Sequence, residues 1–135
     1  MMTKLLIPFL FPLSLLFGVQ DAPLKNSKWK LLSVKDSLMN KTFDFSKSGS
    51  SLAVNDSMFC VLGCNGISAK YNLGEGNKIT IAYVNTTAIN CPGDYEKIET
   101  YVGGYFFNLV YHIRLDTLTL YNGSKGITFK YLLNK

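Results

Sequence analysis

The chain has one histidine, His112, one arginine, Arg114, and three cysteines in 135 residues. Each scarcity closes off a class of function. A nucleophilic centre of the Ser-His or Cys-His kind would have to be built on His112, which lies between Tyr111 and Ile113 in an apparent strand, and no G-x-S-x-G sequence occurs. The histidine reads as structural or surface-exposed. A zinc site would need more histidines or a C-x-x-C pair, and the chain has neither. None of the nine acids forms an evident pair for glycoside chemistry, and no glycine loop that could cradle a phosphate precedes a helix. No enzyme is therefore expected, and no catalytic residue, metal or cofactor is assigned. The lack of an arginine-rich segment argues against nucleic-acid binding.

What is present is a chain of single-domain length with 47% hydrophobic and 17% charged residues, enough to bury a core. Its start differs from the rest. Met1 to Lys4 give a short positive beginning, and Leu5 to Phe17 form an apolar run interrupted by Pro8, Pro12 and Ser14. The run is shorter than the roughly 20 residues that span a bilayer, and its prolines would break a buried helix. Residues 1–22 read as a secretory signal peptide cleaved between Gly18 and Ala22, leaving 23–135 as one secreted or periplasmic domain. No cysteine at the border can accept a lipid, so no stable membrane insertion is expected after signal removal, and the mature protein is expected to be a soluble monomer. Its formal charge falls from +5 to about +4 without Lys4. Lys25, Lys28, Lys30 and Lys35 cluster at its beginning and read as a solvated strand face.

From Asn26 onward, strands alternate with turn chemistry. Trp29, Leu31 and, less regularly, Val34 mark a first strand; Thr42 to Phe45, Ser51 to Val54 and Ser57 to Leu62 follow, then Ser68 to Leu73 and Lys78 to Val84 around Gly74 to Asn77. Between Pro92 and Leu109 the period changes. Ile98, Val102, Phe106 and Leu109 recur at helical spacing with Asp94 and Glu96 in the first turn, which predicts one helix. Gly103 and Gly104 disfavour it by roughly 1 kcal/mol each, so an early end or a bend is expected there. Tyr111 to Leu115, Thr117 to Tyr121 and Ile127 to Leu133 complete the strands, the last two joined by Asn122 to Gly126. Four N-x-S/T sequons, at Asn40, Asn55, Asn85 and Asn122, fall in expected loops.

Cys60, Cys64 and Cys91 all lie in the mature part, where an oxidising compartment favours a disulfide; three pairings are open. The Gly63-Cys64-Asn65-Gly66 stretch permits two descriptions. It is a surface loop that contacts a partner, or a tight turn in which glycine takes positive φ, Cys64 forms half of a disulfide and Asn65 caps its own backbone. Tyr101, Tyr105, Phe106 and Phe107 cannot all face inward from one helix, so either some form an exposed aromatic patch or the glycines kink the chain to bury them.

Trp29, Leu31 and Leu32, Gly63-Cys64-Asn65 with Tyr71, and Ile79 with Ile81 recur in a familiar order. Thr86 and Thr87 follow ahead of Ile89-Asn90-Cys91, then Glu96 or Glu99 at the helix and Leu118 to Leu120 with Phe129. In this order they resemble the META domain family, whose members include HslJ-like, heat-inducible bacterial envelope proteins. The resemblance implies a mainly β fold: a strongly curved antiparallel sheet or incomplete barrel with one packed helix, and no established catalytic activity. It also implies that Cys64 and Cys91 pair, with Cys60 as the extra thiol, although a Cys60–Cys91 bond stays open. The expected function is binding or stress protection at the cell envelope, through an envelope or secreted protein partner. The competing expectation is a lipocalin-like binder of a small apolar ligand, or a peptidase inhibitor. A deep pocket would favour the former and a tightly packed interior would count against it.

Overall fold

The computed structural model describes residues 20–135, except for the side chains of Tyr83 and Val84. The signal-peptide reading lies outside the described residues as far as Val19. Nine strands form one antiparallel sheet: β1 (Ser27–Asp36), β2 (Lys41–Asp44), β3 (Ser51–Val54), β4 (Met58–Leu62), β5 (Ile67–Leu73), β6 (Lys78–Thr86), β7 (Asn108–Arg114), β8 (Thr117–Asn122) and β9 (Ile127–Leu133). Between β6 and β7 lies the single α-helix among the described residues, α1 (Asp94–Tyr105).

The sheet is a closed barrel rather than an incomplete one, because β1 also pairs with β9. Strand β1 is the spine of the closure. Its first half, Ser27 to Lys30, pairs with β3, its second half, Ser33 to Asp36, pairs with β2 along the same edge, and β9 occupies the other edge. A bulge between Leu31 and Ser33 against β9 shifts the alternation. Trp29 and Leu31 point inward before it, and Val34 and Asp36 point inward after it. An extra residue in one strand does this by exchanging the faces of everything that follows, which accounts for Val34 breaking the period of two.

The inward positions fill the barrel. Phe106 meets Phe129 edge-on at 4.7 Å between ring centroids and lies 6.3 Å from Phe59, which in turn contacts Tyr71 at 4.6 Å. Trp29, Leu52, Leu118, Leu120 and Tyr131 complete the buried layer. Each such side chain contributes roughly 1.5 to 3 kcal/mol through burial. Burial also pushes the Tyr131 hydroxyl well above the usual phenol range.

Helix α1 plugs one end of this barrel. Ile98, Tyr101 and Val102 are its buried face. It includes Gly103 and Gly104, which are exposed with open space about them, and ends one residue later at Tyr105, the early end that the two glycines led one to expect. The chain leaves the helix at Phe106, and Leu109 belongs to β7. This exit turns Phe106 into the core while Tyr105 and Phe107 stay half-buried. The exposed aromatic patch considered from the sequence is therefore not formed. At the helix C-terminus, the Asn122 side-chain amide donates to the Tyr105 carbonyl at 3.0 Å, satisfying one of the carbonyls that a helix end leaves without a partner. Asn122 is 0% exposed. It is the last residue of β8 and Asn85 lies within β6, so two of the four sequons are strand residues and not loop residues.

The Tyr101 hydroxyl donates to the buried Asp36 carboxylate at 2.9 Å. Burial, and then this bond, push the Tyr101 hydroxyl up to about 12. A phenol that titrates near 10 when unfolded and near 12 when folded contributes stability that is whole below pH 10. That contribution is lost as pH rises from 10 to 12. Tyr101→Phe is expected to cost about 2 kcal/mol at neutral pH, with the gap to wild type closing across that alkaline window. Urea titrations of both proteins at pH 7, 10 and 12 check it, since alkaline effects common to the two cancel in the difference.

Candidate functional site

The sequence singled out Gly63, Cys64, Asn65, Gly66 and Cys91, and the fold brings all five to the barrel end that α1 covers. Cys64 and Cys91 form a disulfide with Cα atoms 5.9 Å apart across 27 positions. Cys60 is a free thiol on β4, which excludes its pairing with Cys91. The bridge ties the loop between β4 and β5 to the segment that leads from β6 into α1.

Asn65 is the centre of this junction. Its side-chain amide donates to the Ile89 carbonyl at 3.0 Å and to Glu99 Oε1 at 2.8 Å, and it touches the Cys91 sulfur at 3.1 Å. Its side-chain oxygen accepts from the Thr87 hydroxyl at 2.8 Å and the Ile89 N–H at 3.0 Å. The Asn65 backbone N–H donates to Glu99 Oε2 at 3.0 Å. Acceptors face one end of the amide and donors the other, so the network itself fixes which atom is nitrogen. Asn65 is 8% exposed. It does not cap its own backbone. It joins three separate segments, and Glu99 supplies the only charge in that set of bonds.

Glycine is needed at position 63 for a reason other than the one expected from the sequence. Neither Gly63 nor Gly66 has positive φ. A Cβ at position 63 would lie 2.9 Å from the Tyr95 ring of α1, so the loop can pass beneath the helix only without a side chain. Gly66 is held by its N–H, which donates to the Thr87 hydroxyl at 3.0 Å, and by its carbonyl, which accepts from the Thr87 N–H at 3.1 Å.

These contacts form one wall of an open cleft of about 560 Å³, lined by Asn65, Ile67, Asn85, Thr86, Thr87, Glu99 and Gly103. The cleft exists because β6 and β7 part early. They pair only between Lys78–Thr80 and Asn108–Val110, followed by a single bond from the Ile81 N–H to the Phe107 carbonyl at 2.9 Å. Beyond that point, the edge of β6 that would face β7 looks toward α1. His112, the sequence's one candidate base, is not among these residues and lies on the outer barrel wall, in a shallow depression with Arg114, Asp116, Thr117, Thr119 and Lys130.

The META domain profile matches residues 22–132. The chain belongs to the META domain family. This META domain resembles a protein from Burkholderia xenovorans solved by NMR, with a TM-score of 0.66 at 17% identity over 83% of this chain and 84% of that one. It also resembles the crystal structure of a DUF4847 family protein from Bacteroides vulgatus, with a TM-score of 0.57 at 13% identity over 83% of this chain and 95% of that one. At such identities, the likeness is one of fold. No curated protein matches the chain.

The sequence pointed to the Gly-Cys-Asn element but not to its acidic partner as a ligand of Asn65. Glu99 had entered only as one of two candidates for a residue opening the helix. The available signal was spacing. Glu99 follows Tyr95 by four positions, one helical turn, so a helix that sets Tyr95 against Gly63 also sets Glu99 on the same loop.

Proposed function

We propose that this META domain is exported, that its leader is removed before Asp21, and that it acts at the cell envelope or in the medium by binding rather than by catalysis, in partner recognition or stress protection. The observation that carries this reading is the Cys64–Cys91 bridge locked to Asn65 and Glu99. A disulfide at the centre of a satisfied polar network suits an oxidising compartment. Retention of Asp21 is supported by its side chain, which accepts from the Leu115 N–H at 2.6 Å, and by the neighbouring Ala22 N–H, which donates to the Leu115 carbonyl at 3.0 Å. The contact edge in this reading is the cleft rim formed by Asn85, Thr86 and Thr87 together with the adjoining loop from Gly63 to Gly66, with Asn65 as the brace that holds its shape.

The full chain with its own leader, expressed in a secreting bacterium, tests both halves of the proposal. Non-reducing mass analysis should find a processed form outside the cytoplasm that still contains Asp21 and is lighter by the hydrogens lost in the bridge. A photo-cross-linking residue at Asn85 should capture an envelope component, whereas one at Glu75, exposed in the turn at the other end of β6, should not. Retention in the cytoplasm with the leader intact refutes export. Absence of a specific adduct at Asn85 refutes the rim.

One observation favours a second reading, that of a peptidase inhibitor. The turn from β1 to β2 displays Leu38 at 82% exposure beside Met39. It is pinned by the Met39 N–H donating to Asp36 Oδ1 at 3.2 Å, as a presented inhibitory loop must be. Inhibition of a peptidase panel that disappears in Leu38→Glu would favour this reading. The apolar-ligand barrel is disfavoured by the aromatic side chains that occupy its interior.

A further inference from the structure

The outer wall of the barrel carries a charge asymmetry that is hidden in the sequence. Strands β7, β8, β9 and β1 are consecutive around the barrel. On their outward positions lie His112 and Arg114, then Lys130, then Lys28, Lys30 and Lys35, all exposed. The one acid in these four strands is Asp36, which points inward to Tyr101.

The register sets these groups in rows. His112 is opposite Thr119, which is opposite Lys130, which is opposite Ser33. Arg114 is opposite Thr117, then Leu132, then Lys30. One half-buried threonine separates His112 from Lys130 in the first row, and Thr117 with Leu132 separates Arg114 from Lys30 in the second. Neighbouring strands lie about 4.8 Å apart, so the two basic groups are about 10 Å apart in the first row and about 14 Å apart in the second. A depression of about 610 Å³ lies over His112, Arg114, Thr117, Thr119 and Lys130. Asp116 lies at its end and forms an ion pair with Lys135 at 3.6 Å.

We infer that this wall is a binding surface for an acidic polysaccharide, a flexible chain that bears carboxylate or sulfate groups. Charge complementarity selects a polyanion. Curvature selects its form. The closed ring consists of the eight strands other than β2, so successive strands turn by about 45° and β7 and β1 face directions about 135° apart. A flat anionic bilayer reaches one or two of these strands at a time, whereas a flexible polymer follows all four. Base stacking needs exposed aromatic platforms, and this wall offers Tyr121 alone at its margin, which favours sugars over single-stranded nucleic acid. The surface is distinct from the cleft beneath α1, and the inference stands whether or not the cleft rim binds a partner.

The test measures binding of the full chain to heparin and to polygalacturonate across a sodium chloride series. It compares Lys30→Glu with Lys130→Glu against a control that combines Lys70→Glu and Lys78→Glu. The control residues lie on β5 and β6, opposite β9 and β1 in the barrel, and the change in net charge is the same. Binding to at least one polysaccharide should weaken with salt. It should fall about tenfold or more in the first variant and stay near wild type in the control. A charge-neutral version, Lys30→Gln with Lys130→Gln, should give an intermediate loss and secures the result if the charge reversals disturb folding. Equal losses in test and control would reduce the effect to net charge and overturn the assignment. So would no binding to either polysaccharide, tighter binding to phosphatidylglycerol vesicles, or tighter binding to an oligothymidine strand.

Discussion

Replacing Asn65 by Ala should cost about 3 to 4 kcal/mol, because each of the part-buried hydrogen bonds made by its side chain contributes roughly 0.5 to 1.5 kcal/mol. The substitution strips the Ile89 N–H, the Ile89 carbonyl, the Thr87 hydroxyl and Glu99 Oε1 at once. Water entering from the neighbouring cleft offsets part of that cost, which keeps the expectation below the full sum. Asn65→Asp is the sharper test. It preserves shape and keeps an oxygen for Thr87 and Ile89, but it sets a carboxylate where the amide now donates to Glu99 at 2.8 Å. Two carboxylates so placed cannot both ionise without penalty, so the folded pair holds a proton more tightly than the unfolded groups do. Its folded pKa is raised, and the stability that proton supports is present at low pH and lost as pH rises through the raised value. The variant should therefore approach wild type near pH 4 and fall away toward pH 7. Urea midpoints at those two pH values decide it; a pH-independent loss would mean that Glu99 does not face residue 65.

Removing the bridge should cost about as much. Cys64→Ser with Cys91→Ser opens a loop spanning 27 positions, for which the chain-entropy argument gives about 3 to 4 kcal/mol. The bridge also anchors the segment from which Ile89 contacts Asn65, so the double variant should loosen the rim before the barrel. Hydrogen exchange should accelerate first in the loop from Gly63 to Gly66 and in residues 87–91. Wild type treated with reductant should match the double variant, and Cys60→Ser should stay within about 0.5 kcal/mol of wild type. A reductant-insensitive wild type would contradict the account.

Much of the fold was legible in the sequence because period-two burial is a local property. Ser51–Val54 and Ile127–Leu133 are strands with the bounds read from their residues, and the other strands shift by a few positions. The helix was legible from Ile98 and Val102, but Phe106 and Leu109 kept the helical spacing after the helix had ended. Core burial alone set their pattern, and a core can be reached from a strand as well as from a helix. Closure of the barrel was not legible, since pairing of β1 with β9 is decided by the curvature of everything between them. The site residues were identified without their roles. Gly63 was attributed to a backbone angle, and only its proximity to the Tyr95 ring supplies the reason. Asn65 was expected to bond locally, yet its partners lie 22 to 34 positions away. The lysines at 28, 30 and 35 were seen as a solvated face of one strand. Their continuation through Lys130 to Arg114 required the register.

Because β1 bonds on one edge to β2 and β3 and on the other to β9, the first strand made is completed by the last. Contacts this distant in sequence form slowly, since the intervening chain must be gathered before they repay its ordering. A ribosome releasing this polypeptide from its N-terminus delivers Trp29 long before the Tyr131 and Leu133 backbones that flank β1 exist. The protein therefore spends its synthesis with an open edge on β1. That interval is when a neighbouring strand from another chain could take β9's place.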